Sequence, residues 1–364
     1  MKFTLLLFFS LFSFSAFAND QEIADYEVHE WGTFTSLQGS DGKPLNGLYR
    51  DEEKLPSFVY GHARPNFFSK NNNSPFSKGF YHKLENVTIK METPVLYFYS
   101  QKELKNVFAY VGFNGGAISE WYPHRIGGET IGTLQSFIDF SRPTFGSINW
   151  RFDILAPDSK EIINTDKKLE THTWVAPRET DANKIKVTYD SFEKVGDVIK
   201  DVKRSEVEKF LFYRGIGNFK LPLELKSPAS NKIELSNLGQ DQIPYLLVYE
   251  KIKGEEPKIW WTGKLNAKES ISIDKPSKTA SFEKESRPQF MKALVKAGLY
   301  EKEAKSMLST WQHSYFEQPG LKVFWIVPDK MTDRILPLSL NPKPRSIKRV
   351  LVGRSEVLTP KHEA

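Results

Sequence analysis

Glu120-Trp121-Tyr122-Pro123-His124 is the densest run of groups able to do chemistry in this chain. Pro123 argues against a helix there. In an extended segment Glu120, Tyr122 and His124 share a face. A carboxylate and an imidazole side by side can hold a divalent metal or work as an acid/base pair. Glu92, in Met91-Glu92-Thr93-Pro94, and His29 are candidates to join them from neighbouring strands. Glu92, Glu120 and His124 are therefore the catalytic candidates, and His29, Glu120 and His124 the metal-ligand candidates. The plainer reading is a strand end with a hydrogen-bonded Glu and an exposed His. The seven histidines contain no HExxH or other close-spaced metal motif. His29 and Glu30 are adjacent, so on a strand they point to opposite faces. There is no GxSxG elbow, no phosphate-binding P-loop and no GxGxxG opening a helix. A divalent metal is thus the one cofactor these residues suggest.

A second set of residues suits binding. Trp121 and Tyr122 lie in the same run, and Trp260-Trp261 on a strand should turn one ring outward. Exposed Trp and Tyr stack on sugar rings and anchor binding surfaces, although aromatic residues also build β-sheet cores. Arg354 and Glu356 alternate onto one face of an apolar strand. That pattern suits a partly buried ion pair or a seat for an anionic ligand. The spacing predicts an exposed His313 paired with Glu317 one helical turn on.

These residues are carried by a chain that reads as exported. A basic start, an apolar run from Phe3 to Phe17 and the small-x-small ending Ala16-Phe17-Ala18 form a secretory signal. The mature chain then begins near Asn19 and contains no further run long enough to span a bilayer. No Cys is present, which removes disulfides, thiolate metal sites and Cys nucleophiles. The net charge of +6 is spread among interspersed acids and bases. No basic stripe is dense enough to argue for nucleic acid. Aromatic residues make up 13 %, which is globular composition rather than disorder.

Most of the chain alternates as strands do. Val87, Ile89, Met91, Val95, Tyr97 and Tyr99 fall on one face of an extended segment, with Thr88, Lys90 and Glu92 on the other. Pro94 inside it predicts an edge strand or two strands in sequence. Val107 to Phe113, the turn Asn114-Gly115-Gly116 and Ala117 to Tyr122 predict a hairpin. Seven short strands between 184 and 274 fit an immunoglobulin-like β-sandwich. Helices follow only after a polar linker. Phe290, Leu294 and Ala297 share one face, and Ala304, Leu308, Trp311 and Tyr315 another. The expected fold is therefore mainly β, built of sandwich-type domains, with a C-terminal two-helix insertion packed on the sheets. The expected units are a signal peptide (1–18), an N-terminal β-rich domain (19–177), a sandwich-like domain (184–274) and a helical pair (287–317). C-terminal strands (321–360) return to the N-terminal sheet.

Five segments carry a resemblance. They are His29-Glu30-Trp31-Gly32-Thr33-Phe34-Thr35, Met91-Glu92-Thr93-Pro94-Val95, Glu120-Trp121-Tyr122-Pro123, Lys209-Phe210-Leu211-Phe212-Tyr213-Arg214-Gly215, and Val352-Gly353-Arg354 with Leu358-Thr359-Pro360. The chain resembles exported hypothetical proteins of environmental Gram-negative bacteria that carry such motifs. The resemblance implies export and a single evolutionary unit from residue 29 to 360; it brings no activity, substrate or catalytic residue. Two functional readings stay open. One is an envelope or secreted protein that binds a glycan or a protein partner. The other is an exported hydrolase with a His/Glu site that uses a metal.

Overall fold

A computed structural model describes residues 23–48, 55–61, 83–131, 137–164, 172–195, 198–277 and 281–364. The expected signal peptide lies outside them. No helix among the described residues is long and apolar enough to cross a membrane.

The first strands are β1 (Ile23–Gln38), β2 (Tyr60–Gly61), β3 (Lys83–Glu85), β4 (Ile89–Ser100), β5 (Leu104–Asn114), β6 (Gly116–Tyr122), β7 (Phe137–Asp139) and β8 (Phe145–Ile154). Then come β9 (Ile185–Val195), β10 (Val198–Glu208), β11 (Leu211–Gly217), β12 (Leu223–Ala229), β13 (Lys232–Asn237), β14 (Ile243–Lys251), β15 (Lys258–Leu265) and β16 (Ser270–Asp274). The helix pair α1 (Arg287–Ala297) and α2 (Glu301–Thr310) precedes β17 (Gly320–Ile326), α3 (Asp329–Ile335), β18 (Leu338–Asn341), β19 (Lys343–Val357) and α4 (Pro360–Glu363).

Nine strands form one sheet in the order β15-β14-β17-β19-β1-β4-β11-β6-β2. A five-stranded sheet, β10-β9-β8-β5-β18, packs on it. Phe34, Met91, Leu96 and Phe98 from the large sheet meet Val107, Trp150, Phe152 and Ile185 from the small one in a shared core. The rings of Phe98 and Phe152 lie 4.8 Å apart across this interface. The opposite face of the large sheet is covered by α1, α2 and the turns around them. There Trp31, Val95, Tyr97, Phe212, Phe324 and Val352 pack on Phe290, Leu294, Met307, Leu308 and Trp311. The protein is thus mainly β, a sandwich with a third, helical layer.

Burial on both faces changes what alternation means. A strand covered on both sides is buried along most of its length, and all seven residues of β11 are buried. Thr88, Lys90 and Glu92, expected on a polar face, are buried as well.

Three expectations are corrected by the strand pairing. Pro94 does not mark an edge or a break: β4 is one continuous strand between β1 and β11. The proline is tolerated because a bulge sits there. Register slips between Trp31 and Thr33 on β1, and between Phe212 and Gly215 on β11. The extra residue reverses the alternation, so Met91 faces the sandwich core while Val95 and Tyr97 face the helices. The predicted turn after β5 exists, with Gly115 at φ +81°, but its two arms do not pair. β5 pairs with β8 and β18, and β6 with β11 and β2. A Cβ at Gly116 would lie 2.3 Å from the Phe113 ring, so the glycine lets that ring fold into the corner between sheets. The strands of 184–274, finally, are shared among the large sheet, the five-stranded sheet and a small sheet β12-β13-β16 rather than closing on one another.

The first and last strands pair in the middle of the large sheet. β1 runs parallel to β19 from Ile23 opposite Lys343 to Gln38 opposite Val357. Gly298 at φ +124° ends α1, and Pro288 lies in its first turn.

Candidate functional site

The bulge in β4 is the origin of the site. Pairing on both sides holds Thr93 at φ +50°. A β-branched residue in that region is strained, at a cost of about 1–3 kcal/mol, and such strain gathers at ligand clamps and active sites. Gly32 makes the geometry feasible, because a Cβ there would lie 2.8 Å from Pro94 Cα. The result is that Glu92 and Thr93 project toward the helical layer.

Around Glu92 the sheet face is unusually charged. Lys90 Nζ lies 2.7 Å from Glu92 Oε1, and the Tyr315 hydroxyl donates to Glu92 Oε2 at 2.5 Å. Arg354 stacks its guanidinium 4.4 Å above the Tyr315 ring and donates through Nε to Glu356 at 2.8 Å. Lys90, Glu92, Arg214 and Arg354 are all buried. Burial alone would raise the pKa of Glu92, but Lys90, Arg214 and Arg354 outweigh it and hold the carboxyl down at about 2. Glu92 therefore stays ionised at neutral pH. Tyr315 is pushed well above the ordinary phenol range by burial and by the Glu92 charge. It keeps its proton for the hydrogen bond. Thr35 is placed between Lys90 and Arg354 by the strand registers, and its buried hydroxyl has no hydrogen-bond partner among the described residues.

Above this floor opens a half-enclosed slot with a cavity volume of about 40 Å³. Its walls are the rings of Trp174, Phe210, Phe212, Trp311 and Tyr315, and its base is Glu92, Thr93 and Arg214. His172, Thr173 and Ser314, all half-buried, line it as well. The short 3-10 turn Thr173–Arg178 is what brings Trp174 in. His172 caps it by accepting from the Trp174 N–H at 3.0 Å, and Glu208 accepts from the indole Nε1 at 3.2 Å.

Of the residues singled out from the sequence, Glu92 and Arg354 are brought together, sharing Tyr315 as a common neighbour. The others are not part of this group. His29 Nδ1 lies 2.8 Å from Glu303 Oε2, and Glu303 also accepts from the Tyr99 hydroxyl at 2.7 Å; this buried set docks α2 on β1. Glu30 points the other way, bonded to Arg349 at 2.6 Å and to Tyr213. Glu120 is half-buried and bonded to Ser119. His124 lies beyond the end of β6, stacked 4.0 Å from Tyr189, with its backbone N–H donating to Glu206 at 2.7 Å. Burial and the neighbouring Arg125 lower its pKa. Glu206 also accepts from Tyr60 at 2.5 Å and is raised by burial. The proposed metal triad His29, Glu120 and His124 does not form. Among the described residues no three His, Asp or Glu side chains gather so as to hold a metal ion.

The aromatic candidates divide similarly. Tyr122 is buried with its ring 6.1 Å from Trp174, just behind the pocket wall. Trp121 is half-buried under Arg125, whose guanidinium lies 4.3 Å over it. Neither Trp260 nor Trp261 is an open platform. Trp260 is buried and donates to Glu250 at 3.1 Å, and Trp261 packs half-buried against the sandwich core.

No protein-family model and no curated protein matches the chain. Its site is therefore defined by its own geometry: an aromatic-walled slot over a buried, charge-rich floor. Lys90, Thr93, Phe210, Phe212 and Arg214 were not singled out for it from sequence. The available signal was the interruption Glu92-Thr93-Pro94 in an otherwise regular strand.

Proposed function

We propose that the protein is exported, works in the cell envelope or outside the cell, and binds a glycan in the slot over Glu92. One observation carries the reading. Five aromatic residues, each at most 5 % exposed, line a single half-enclosed pocket together with Glu92, Thr93 and Arg214. Apolar ring surface suits the C–H groups of a sugar, and a few fixed polar groups orient its hydroxyls; this is the general composition of a small-ligand site. The charge state of Glu92 supports binding over acid/base work. A carboxylate held at about 2 is a weak base and gives up no proton near neutral pH. It remains a good acceptor for a ligand hydroxyl.

The test is a glycan array followed by titration calorimetry, with wild type beside Ser314→Trp. Ser314 lines the slot and is half-buried, so a large ring there fills the space a ligand would take. Wild type should bind a defined glycan class, and Ser314→Trp should lose at least tenfold in affinity at an unchanged melting temperature. Equal binding by both proteins refutes the pocket assignment.

A further inference from the structure

We infer that Thr93 is the specificity-determining residue of this slot, and that the group it meets is a hydroxyl of a neutral sugar or polyol. The inference rests on the glycan reading and narrows it. Thr93 lines the slot, and its Oγ1 is buried with no hydrogen-bond partner among the described residues. A hydroxyl both donates and accepts, and leaving it unmet away from water is costly. Valine has the same shape and would avoid that cost. The backbone deepens the puzzle. At φ +50° a glycine would sit without strain, and Thr93 precedes Pro94, which restricts it further. A threonine held in a strained conformation with an unmet hydroxyl, at the base of a pocket, is explained if the missing partner is the ligand.

The neighbouring charges select what that partner is. Glu92 is an ionised acceptor whose oxygens already take Lys90 and the Tyr315 hydroxyl, with lone pairs to spare. A ligand carboxylate at Thr93 would stand against Glu92. A ligand ammonium would stand against Arg214, the one cation among the described residues that lines the slot with Glu92. A neutral hydroxyl avoids both conflicts. It donates to Glu92 and exchanges a hydrogen bond with Thr93.

The experiment probes a panel of neutral, uronic-acid and amino oligosaccharides with wild type, Thr93→Val and Thr93→Ser, and follows the hits by calorimetry. Thermal melts confirm that each variant is folded. The expected result is preference for neutral glycans, a loss of about tenfold or more for Thr93→Val, corresponding to about 1.4 kcal/mol, and retention within about threefold for Thr93→Ser. Unchanged affinity in Thr93→Val, or preference for acidic or amino sugars, overturns the inference while leaving the glycan reading standing. Absence of any glycan binding by wild type overturns both.

Discussion

Glu92 is the residue on which the chemistry of the floor depends. Two charges taken out of water cost more than a single close contact returns, and the arrangement is stable only because all partners are present together. Glu92→Gln leaves Lys90, Arg214 and Arg354 facing one another without their common carboxylate. It should destabilise the protein by about 3–5 kcal/mol, the usual result of breaking a buried pair from one side, read by urea denaturation. The pH dependence follows from the same charges. The folded pKa is lowered from 4.5 to about 2. Stability from this group is thus fully present above about pH 4.5 and lost as pH falls toward 2. Denaturation midpoints of wild type should fall across that window, and the fall should be shallower in Glu92→Gln. An identical pH profile for both proteins would show that Glu92 titrates normally.

The helix pair is the element that turns a sheet face into a pocket. α2 is anchored by Glu303, which is fully buried. It accepts from Tyr99 at 2.7 Å and from the Tyr300 backbone N–H at 2.7 Å, and it lies 2.8 Å from His29. Beyond α2 the chain makes a π-type turn, Gln312–Phe316, that places Tyr315 over Glu92. Wide turns of this kind often accompany functional sites. Glu303→Ala removes three contacts at once and leaves His29 buried, and Tyr99 half-buried, without theirs. A loss of about 3 kcal/mol or more is expected. Hydrogen exchange should show faster exchange in α2 and the Gln312–Phe316 turn than in β5 and β8, which pack on the far side of the large sheet. Uniform acceleration over all elements would mean that the anchor is global rather than local.

At the scale of the molecule, cooperativity is written into the sheet order. β19 lies between β1 and β17, and the strands between 184 and 274 are distributed over three sheets. A polypeptide of residues 184–274 alone should therefore lack a cooperative thermal transition by circular dichroism. The whole chain, lacking its first 18 residues, should melt in a single transition. A folded fragment would restore the reading of this region as an independent sandwich.

Alternation of apolar side chains, the clustering of Gly, Asn and Pro at turns, and the spaced apolar faces after residue 287 were enough to determine a mainly β protein with a C-terminal helix pair. These are local signals, because a strand or helix period shows within a few residues. The sequence also displayed the residue types of the floor. Glu92 stood out as a catalytic candidate, Arg354 as a charge inside an apolar strand, and Pro94 as an interruption. What the sequence could not decide was which strands pair and which faces are covered. Period-two alternation is the same whether a strand's second face meets water or another layer, so Lys90 and Glu92 read as solvent-facing until α2 and its following turn are seen to cover them. Likewise, nothing local to Glu120 and His124 reveals that β6 ends at Tyr122, or that His124 turns away to stack on Tyr189. Pairing is a contact between distant parts of the chain. Only the register of β19, β1, β4 and β11 brings Arg354, Thr35, Glu92 and Arg214 onto one face.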